Sequence, residues 1–237
     1  MVSELSSHTA LILSWLISAP LLFYTIKTIN WAAFSYHSGV QHFFLGSLLV
    51  VSGFWFMRAG VRPGLDFHII AATALTLLMV WRLALLNMAV VLVVMVFLGV
   101  IEPEAWALSF LLGAAIPVFA AYQFFLNVYR RMPHNPFIYI LVAGFLNAGF
   151  TQVVYACSVS GWYWFEGIYT LEQIWRDYLR MLPLMMFPEG ITNGMFIAGM
   201  VSFHPRWLAS RTRELRRLRS AAACAARNGA RALRPAA

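Results

Sequence analysis

Residues Phe67 to Ile101 read FHIIAATALTLLMVWRLALLNMAVVLVVMVFLGVI, 35 positions in which Arg82 is the only charge. A soluble domain has no interior large enough to hide so long an apolar run, so its solvent is lipid. As a single helix it would rise about 1.5 Å per residue and overshoot a hydrocarbon core of roughly 30 Å by about 20 Å. Two shorter or tilted spans, Phe67 to Trp81 and Leu83 to Ile101, fit the bilayer better.

Five further apolar runs flank this stretch: Thr9 to Ile26, His37 to Met57, Ala105 to Val128, Pro136 to Ser158 and Met181 to Phe203. The whole chain is 61% hydrophobic and only 11% charged, with a mean hydropathy of +0.73. Soluble domains average about 45–50% apolar and roughly 25% charged. The expected fold is therefore all-α, a polytopic bundle of about seven transmembrane helices in residues 1–205, followed by a partly disordered basic tail, 206–237. No spacing suggests internal repeats. The two cysteines, Cys157 and Cys224, give no disulfide framework. The segment Met-Val-Ser-Glu-Leu-Ser-Ser-His before the first run lacks the positive region of a signal peptide, so the first helix is read as retained.

The net charge of +8 belongs largely to the tail, since nine of sixteen arginines lie between Arg206 and Arg234. Beside a membrane-spanning segment such a cluster points to anionic lipid rather than nucleic acid. Docking on a cytoplasmic ATPase is the alternative. Lysine occurs only as Lys27, with no glycine before it, which excludes a phosphate-binding loop of the G-x-x-x-x-G-K-[ST] type. If ATP drives this protein, a partner hydrolyses it. With the C-terminus inside and seven spans, the N-terminus lies outside. Lys27, Arg82, Arg130, Arg131 and six membrane-proximal tail arginines then face the cytoplasm against Arg58, Arg62, Arg176 and Arg180, as positive-inside bias requires.

Charge inside a span costs about 2.5–3.5 kcal/mol near its centre on insertion scales, so Glu189 asks for a partner or a purpose. It sits in Phe-Pro-Glu-Gly-Ile-Thr-Asn-Gly, with Asn193 one turn on and Gly190 and Gly194 forming a small face. Asn147, beside Gly144, Ala148 and Gly149, can donate to that carboxylate if the two small faces meet. The three polar residues read as a structural clamp or, alternatively, as part of a gate. Among six histidines only His8 and His68 fall on the outer side. His68 opens a short span with Asp66 two residues before it, and imidazole suits nickel, cobalt, copper or zinc. The plain alternative is a capping or interfacial histidine. His37, His134 and His204 lie near the inner boundary, and His42 about a turn further in. The aromatic connection Val159 to Arg180 reads as an interfacial anchor or as a lid over an outward-facing site.

Three stretches carry a resemblance: Pro63 to Leu78 (PGLDFHIIAATALTLL), Met132 to Gly149 (MPHNPFIYILVAGFLNAG), and Leu182 to Leu208 with FPEGITNG and HPRWL. In this order the chain resembles the CbiM family, substrate-capture membrane subunits of energy-coupling factor ABC transporters. The resemblance implies seven helices with the N-terminus outside, residence in the bacterial inner membrane, and uptake of cobalt or nickel as the transported ion, with no intrinsic cofactor and no enzymatic role. It also implies a transmembrane coupling subunit and cytoplasmic ATPase subunits as partners, and a metal-ligating histidine at His68. Cobalt and nickel members begin Met-His, whereas this chain begins Met-Val-Ser-Glu, and His8 substitutes only by folding the N-terminus back. The runner-up reading is a non-transporting membrane scaffold or assembly subunit, with Glu189 and Asn147 as helix glue; an intramembrane enzyme comes third.

Overall fold

The computed structural model describes residues 7–36, 38–132 and 135–203. The expectations for His37, His134, His204 and the basic tail fall outside these residues. The described residues up to Ile197 form one compact unit.

Helix α1, His8–Thr28, starts where the Ser7 hydroxyl accepts from the Ala10 N–H. It buries one narrow stripe, Ala10, Leu11, Ser14, Ser18 and Thr25, and turns Ile12, Leu13, Leu16 and Ile17 outward. The buried hydroxyls cost little because each returns its proton to a carbonyl three or four residues back: Ser14 to Leu11 at 2.7 Å and Thr25 to Leu21 at 2.8 Å. Outward apolar side chains on a stripe-buried helix are what lipid contact looks like. A short helix α2, Trp31–Tyr36, leads into α3, Ser38–Phe56.

After α3 the chain makes a small antiparallel hairpin, β1 (Ala59–Arg62) and β2 (Leu65–Phe67), which the purely helical expectation does not contain. Its cause is the Pro63-Gly64 pair. Proline fixes the first turn position, and Gly64 takes φ +81°, a conformation in which a side chain is strained.

The long apolar run becomes α4, Ala72–Phe97, broken internally at Val80, whose φ of 67° and ψ of 147° are not helical. The expectation of two pieces in place of one long rod agrees with this break, which falls two residues before Arg82. The first piece also starts later than Phe67, because residues 65–67 are strand and 68–71 belong to no regular element. Every residue from Ala72 to Met79 is buried, so this half-helix is enclosed by protein. A β-branched residue at positive φ persists only where the surroundings hold it there.

Helix α5, Pro103–Arg131, and helix α6, Pro136–Phe165, each contain π-helical turns, at Leu111–Ala115 and Tyr139–Leu146. The capped helix α7, Leu171–Asp177, leads to α8, Leu182–Phe203. Thr170 and Gln173 cap α7 reciprocally, side chain to backbone in both directions. Among the described residues five helices, α1, α3, α4, α5 and α6, are long and apolar enough to cross a membrane. Helix α8 has the length but is diluted by Pro188, Glu189, Thr192 and Asn193. Its small residues do what small residues do between membrane helices. A methyl group on Gly190 would sit 3.0 Å from the Phe145 ring, and one on Gly194 would sit 3.3 Å from the Phe145 Cβ.

One end of the bundle gathers the segments that the arginine count places outside. The Ser7 N–H donates to Glu166 at 3.0 Å, Arg62 of the hairpin pairs with Asp177 at the end of α7, and Phe67 stacks on Tyr178 at 4.6 Å.

Candidate functional site

At that end a pocket of ≈ 290 Å³ opens between the hairpin, the loop after α4, the start of α5 and the last turns of α6. His68 lines it, 7% exposed, immediately after β2 and four residues before α4. The imidazole is packed between rings, 4.6 Å from Trp55 and 5.4 Å edge-on to Tyr155. Neither of its nitrogens has a hydrogen-bond partner. Buried polar atoms are satisfied in the great majority of cases, so a doubly unpartnered imidazole on a pocket wall stands ready for a ligand. His68 lies outside the membrane-spanning helices; burial first, and then the Arg58 guanidinium, push it down to about 3, which leaves the ring neutral with a lone pair to offer.

The segment that presents His68 is held from two sides. Trp55 donates its indole N–H to the Ile70 carbonyl at 3.4 Å. From α8, Glu189 accepts the Ile70 N–H at 2.8 Å on one oxygen and the Ala71 N–H at 2.9 Å on the other. Asn193 accepts the Ala74 N–H at 2.8 Å and donates back to Glu189, to its carbonyl at 2.7 Å and to its carboxylate at 2.9 Å. The first N–H groups of a helix have no partner within it and carry partial positive charge. A carboxylate and an amide supplied from α8 meet that need where no water is available. This gives a physical account of a carboxylate in the last span, and it explains how Ala71 is kept at φ 59°.

Asn147 is placed otherwise than expected. The small faces of α6 and α8 do meet, at Gly144 against Ile197 and Gly149 against Met186, but the Asn147 amide donates to the Ala121 carbonyl of α5 at 3.0 Å. Its carbonyl accepts from Thr151, which in turn bonds Thr73 of the half-helix at 3.1 Å. Asn147 thus joins α6 to α5 and, through Thr151, to α4, because the Ala121 carbonyl lies across from it.

Asp66 shares the pocket with His68 but is bound to Arg58 at 3.2 Å, so it makes no hydrogen bond to the imidazole. His8 is exposed at the first residue of α1. His42 is turned to the Ser38 carbonyl at 2.7 Å. Among the described residues no group of three or more His, Cys, Asp or Glu is placed to hold a metal ion.

Trp55, Arg58, Gly64, Glu102, Tyr155 and Tyr163 are among the residues that shape the pocket beside His68. The connection Val159 to Arg180 contributes Val159 and Tyr163 to the wall and is fastened to the hairpin. Arg62 reaches Asp177, and the Tyr169 hydroxyl donates to the Pro63 carbonyl at 3.0 Å. A hydrogen bond from Arg176 and a second from Arg62 hold the Asp177 carboxyl below its ordinary range. Gly64 seats the hairpin turn on Tyr163, whose hydroxyl occupies the place where a Cβ would go. Gly64→Ala is accordingly expected to cost about 2 kcal/mol or more from positive φ and overlap together. The check is the melting temperature in detergent, which should fall by several degrees; an unchanged value would remove the hairpin turn from the pocket's support.

The family described as CbiM, cobalt uptake substrate-specific transmembrane region, matches residues 5–207. No curated protein matches the chain. Among solved structures the chain is similar to a truncated transition metal transporter, with a TM-score of 0.60 and 15% identity over 85% of this chain and 95% of that one. It is similar to the same degree to a second structure, a transition metal transporter, over 86% of this chain and 91% of that one. At this identity the likeness concerns the fold.

Proposed function

The chain belongs to the CbiM family of cobalt uptake transmembrane proteins, and on that premise we propose that it is the substrate-capture subunit of an energy-coupling factor ABC transporter for a transition-metal ion of the cobalt or nickel type. It is a multi-pass membrane protein, and capture happens in the pocket at the end of the bundle that the charge count places outside. The observation that carries the reading is His68: a buried imidazole on the pocket wall with both nitrogens free of hydrogen bonds. First-row metals accept such a donor readily. Two carboxylates lie on the same wall, Asp66 paired with Arg58, and Glu102. Glu189 and Asn193 are positioning residues in this reading, because they fix the backbone two to six residues beyond the ligand.

Nothing in the sequence supplies ATP hydrolysis, so transport requires a transmembrane coupling subunit and cytoplasmic ATPases. The role of this chain is binding and delivery, without catalysis. The basic tail rests on anionic lipid, each arginine near the surface contributing about 1 kcal/mol.

The test joins two measurements on detergent-purified protein: retention of nickel or cobalt, and identification of chains that co-purify from the native membrane. Metal retention together with ATPase subunits is the expected result. Co-purifying chains with no metal retention at any concentration would instead favour a scaffold or assembly subunit.

A further inference from the structure

The pocket is far larger than a bare ion needs. Its volume of ≈ 290 Å³ exceeds more than tenfold the roughly 10–15 Å³ that accommodates one water. It approaches the lower end, about 300 Å³, of pockets that take small organic ligands. A site built for a naked first-row ion closes several donors around it at about 2.0–2.3 Å, and among the described residues no group of three or more His, Cys, Asp or Glu does so. Of the two carboxylates on the wall, Asp66 is already paired with Arg58, and Glu102 also has a partner. Two rings, Trp55 and Tyr155, pack on His68, and a third, Tyr163, lines the same pocket.

We infer that the pocket captures its metal as a small chelate, an ion already held by a low-molecular-weight nitrogen- and oxygen-donor ligand, with the His68 imidazole completing the coordination and the aromatic rings packing on the chelator. This rests on the metal-capture reading above and names its substrate class. The donor arithmetic closes: a tridentate chelator leaves positions open on a nickel or cobalt ion, and a neutral imidazole suits one of them. The step is ligand exchange. A ring-nitrogen lone pair forms the new bond, a coordinated water leaves with its own electron pair, and neither oxidation state nor proton count changes. The remaining volume is then filled by the chelator, whose contacts with the rings supply the apolar part of binding that small-molecule pockets use.

The experiment uses the full chain in detergent, with nickel supplied alone, with one equivalent of carbon-14 L-histidine, or with one equivalent of carbon-14 citrate. At least one complex is expected to bind about tenfold more tightly than nickel alone, a difference of about 1.4 kcal/mol, and to leave one labelled chelator on each protein. Ser109→Phe fills the pocket from the α5 wall, with Leu112→Phe as the second variant if the first does not fold. Either is expected to weaken chelate binding about tenfold or more while leaving nickel alone within about threefold. If nickel alone binds more tightly than both complexes and both chelators stay in solution, the chelate inference is overturned and metal capture stands. If a protein that melts normally binds nickel in none of the three forms, the metal-capture reading itself falls.

Discussion

Replacing Glu189 by alanine is expected to lower the melting temperature of the detergent-solubilised protein by about 10 °C or more and to abolish substrate binding with it. The carboxylate is 1% exposed and accepts three hydrogen bonds, from the Ile70 and Ala71 N–H groups and the Asn193 amide. Alanine leaves all three donors in a dry interior, where each unmet group costs about 1–3 kcal/mol, so the sum is roughly 3–9 kcal/mol. At about 2–4 °C per kcal/mol for a chain of this size, the shift is large. Glu189→Gln keeps one acceptor but turns an N–H₂ group toward a backbone N–H, so an intermediate loss is expected. Asn193→Ala frees the Ala74 N–H and should cost less than Glu189→Ala. The double variant should fall short of the sum, because Asn193 also donates to Glu189 and the two share that contact. A native-like melt for Glu189→Ala would mean that the half-helix is held by packing alone.

This clamp also shows where sequence reasoning reached and where it stopped. The spans were legible because an apolar run of membrane length has few alternatives, and the break in the longest run followed from its length against the bilayer. That Glu189 and Asn193 act together was legible from one helical turn of spacing. Their partner was not. Backbone N–H groups at Ile70, Ala71 and Ala74 carry no residue-type signal, whereas Asn147 advertises a donor, and the Ala121 carbonyl that takes that donor is equally silent. The hairpin had a signal in Pro63-Gly64, but its strands are too short for an alternating pattern. Trp55 and Tyr155 lie in apolar stretches where an aromatic ring reads as lipid contact, so only the fold reveals that they pack on His68.

His68→Ala is expected to remove metal capture while leaving the bundle nearly intact, and this separation is what distinguishes a ligand from a support. Its ring nitrogens make no hydrogen bonds, so the substitution strands no partner. What the fold loses is ring packing against Trp55 and Tyr155, about 0.5–1.5 kcal/mol for each aromatic contact, or a few degrees of melting temperature. Binding should suffer far more. Changing a residue that merely orients a metal ligand typically costs 10–100-fold in affinity, so loss of the ligand should exceed about 100-fold. Asp66→Asn should do much less, because Asp66 is bound to Arg58 and does not orient the imidazole. His8→Ala and His42→Ala should bind as the native chain does, the first being exposed at the start of α1 and the second turned to the Ser38 carbonyl. Equilibrium dialysis with nickel and with cobalt, beside a melting curve for each variant, separates these outcomes. If His68→Ala retains either metal at native affinity with a native melt, His68 is a packing residue and the donors lie elsewhere in the chain. If it fails to fold, His68→Gln tests the same point with the packing largely restored.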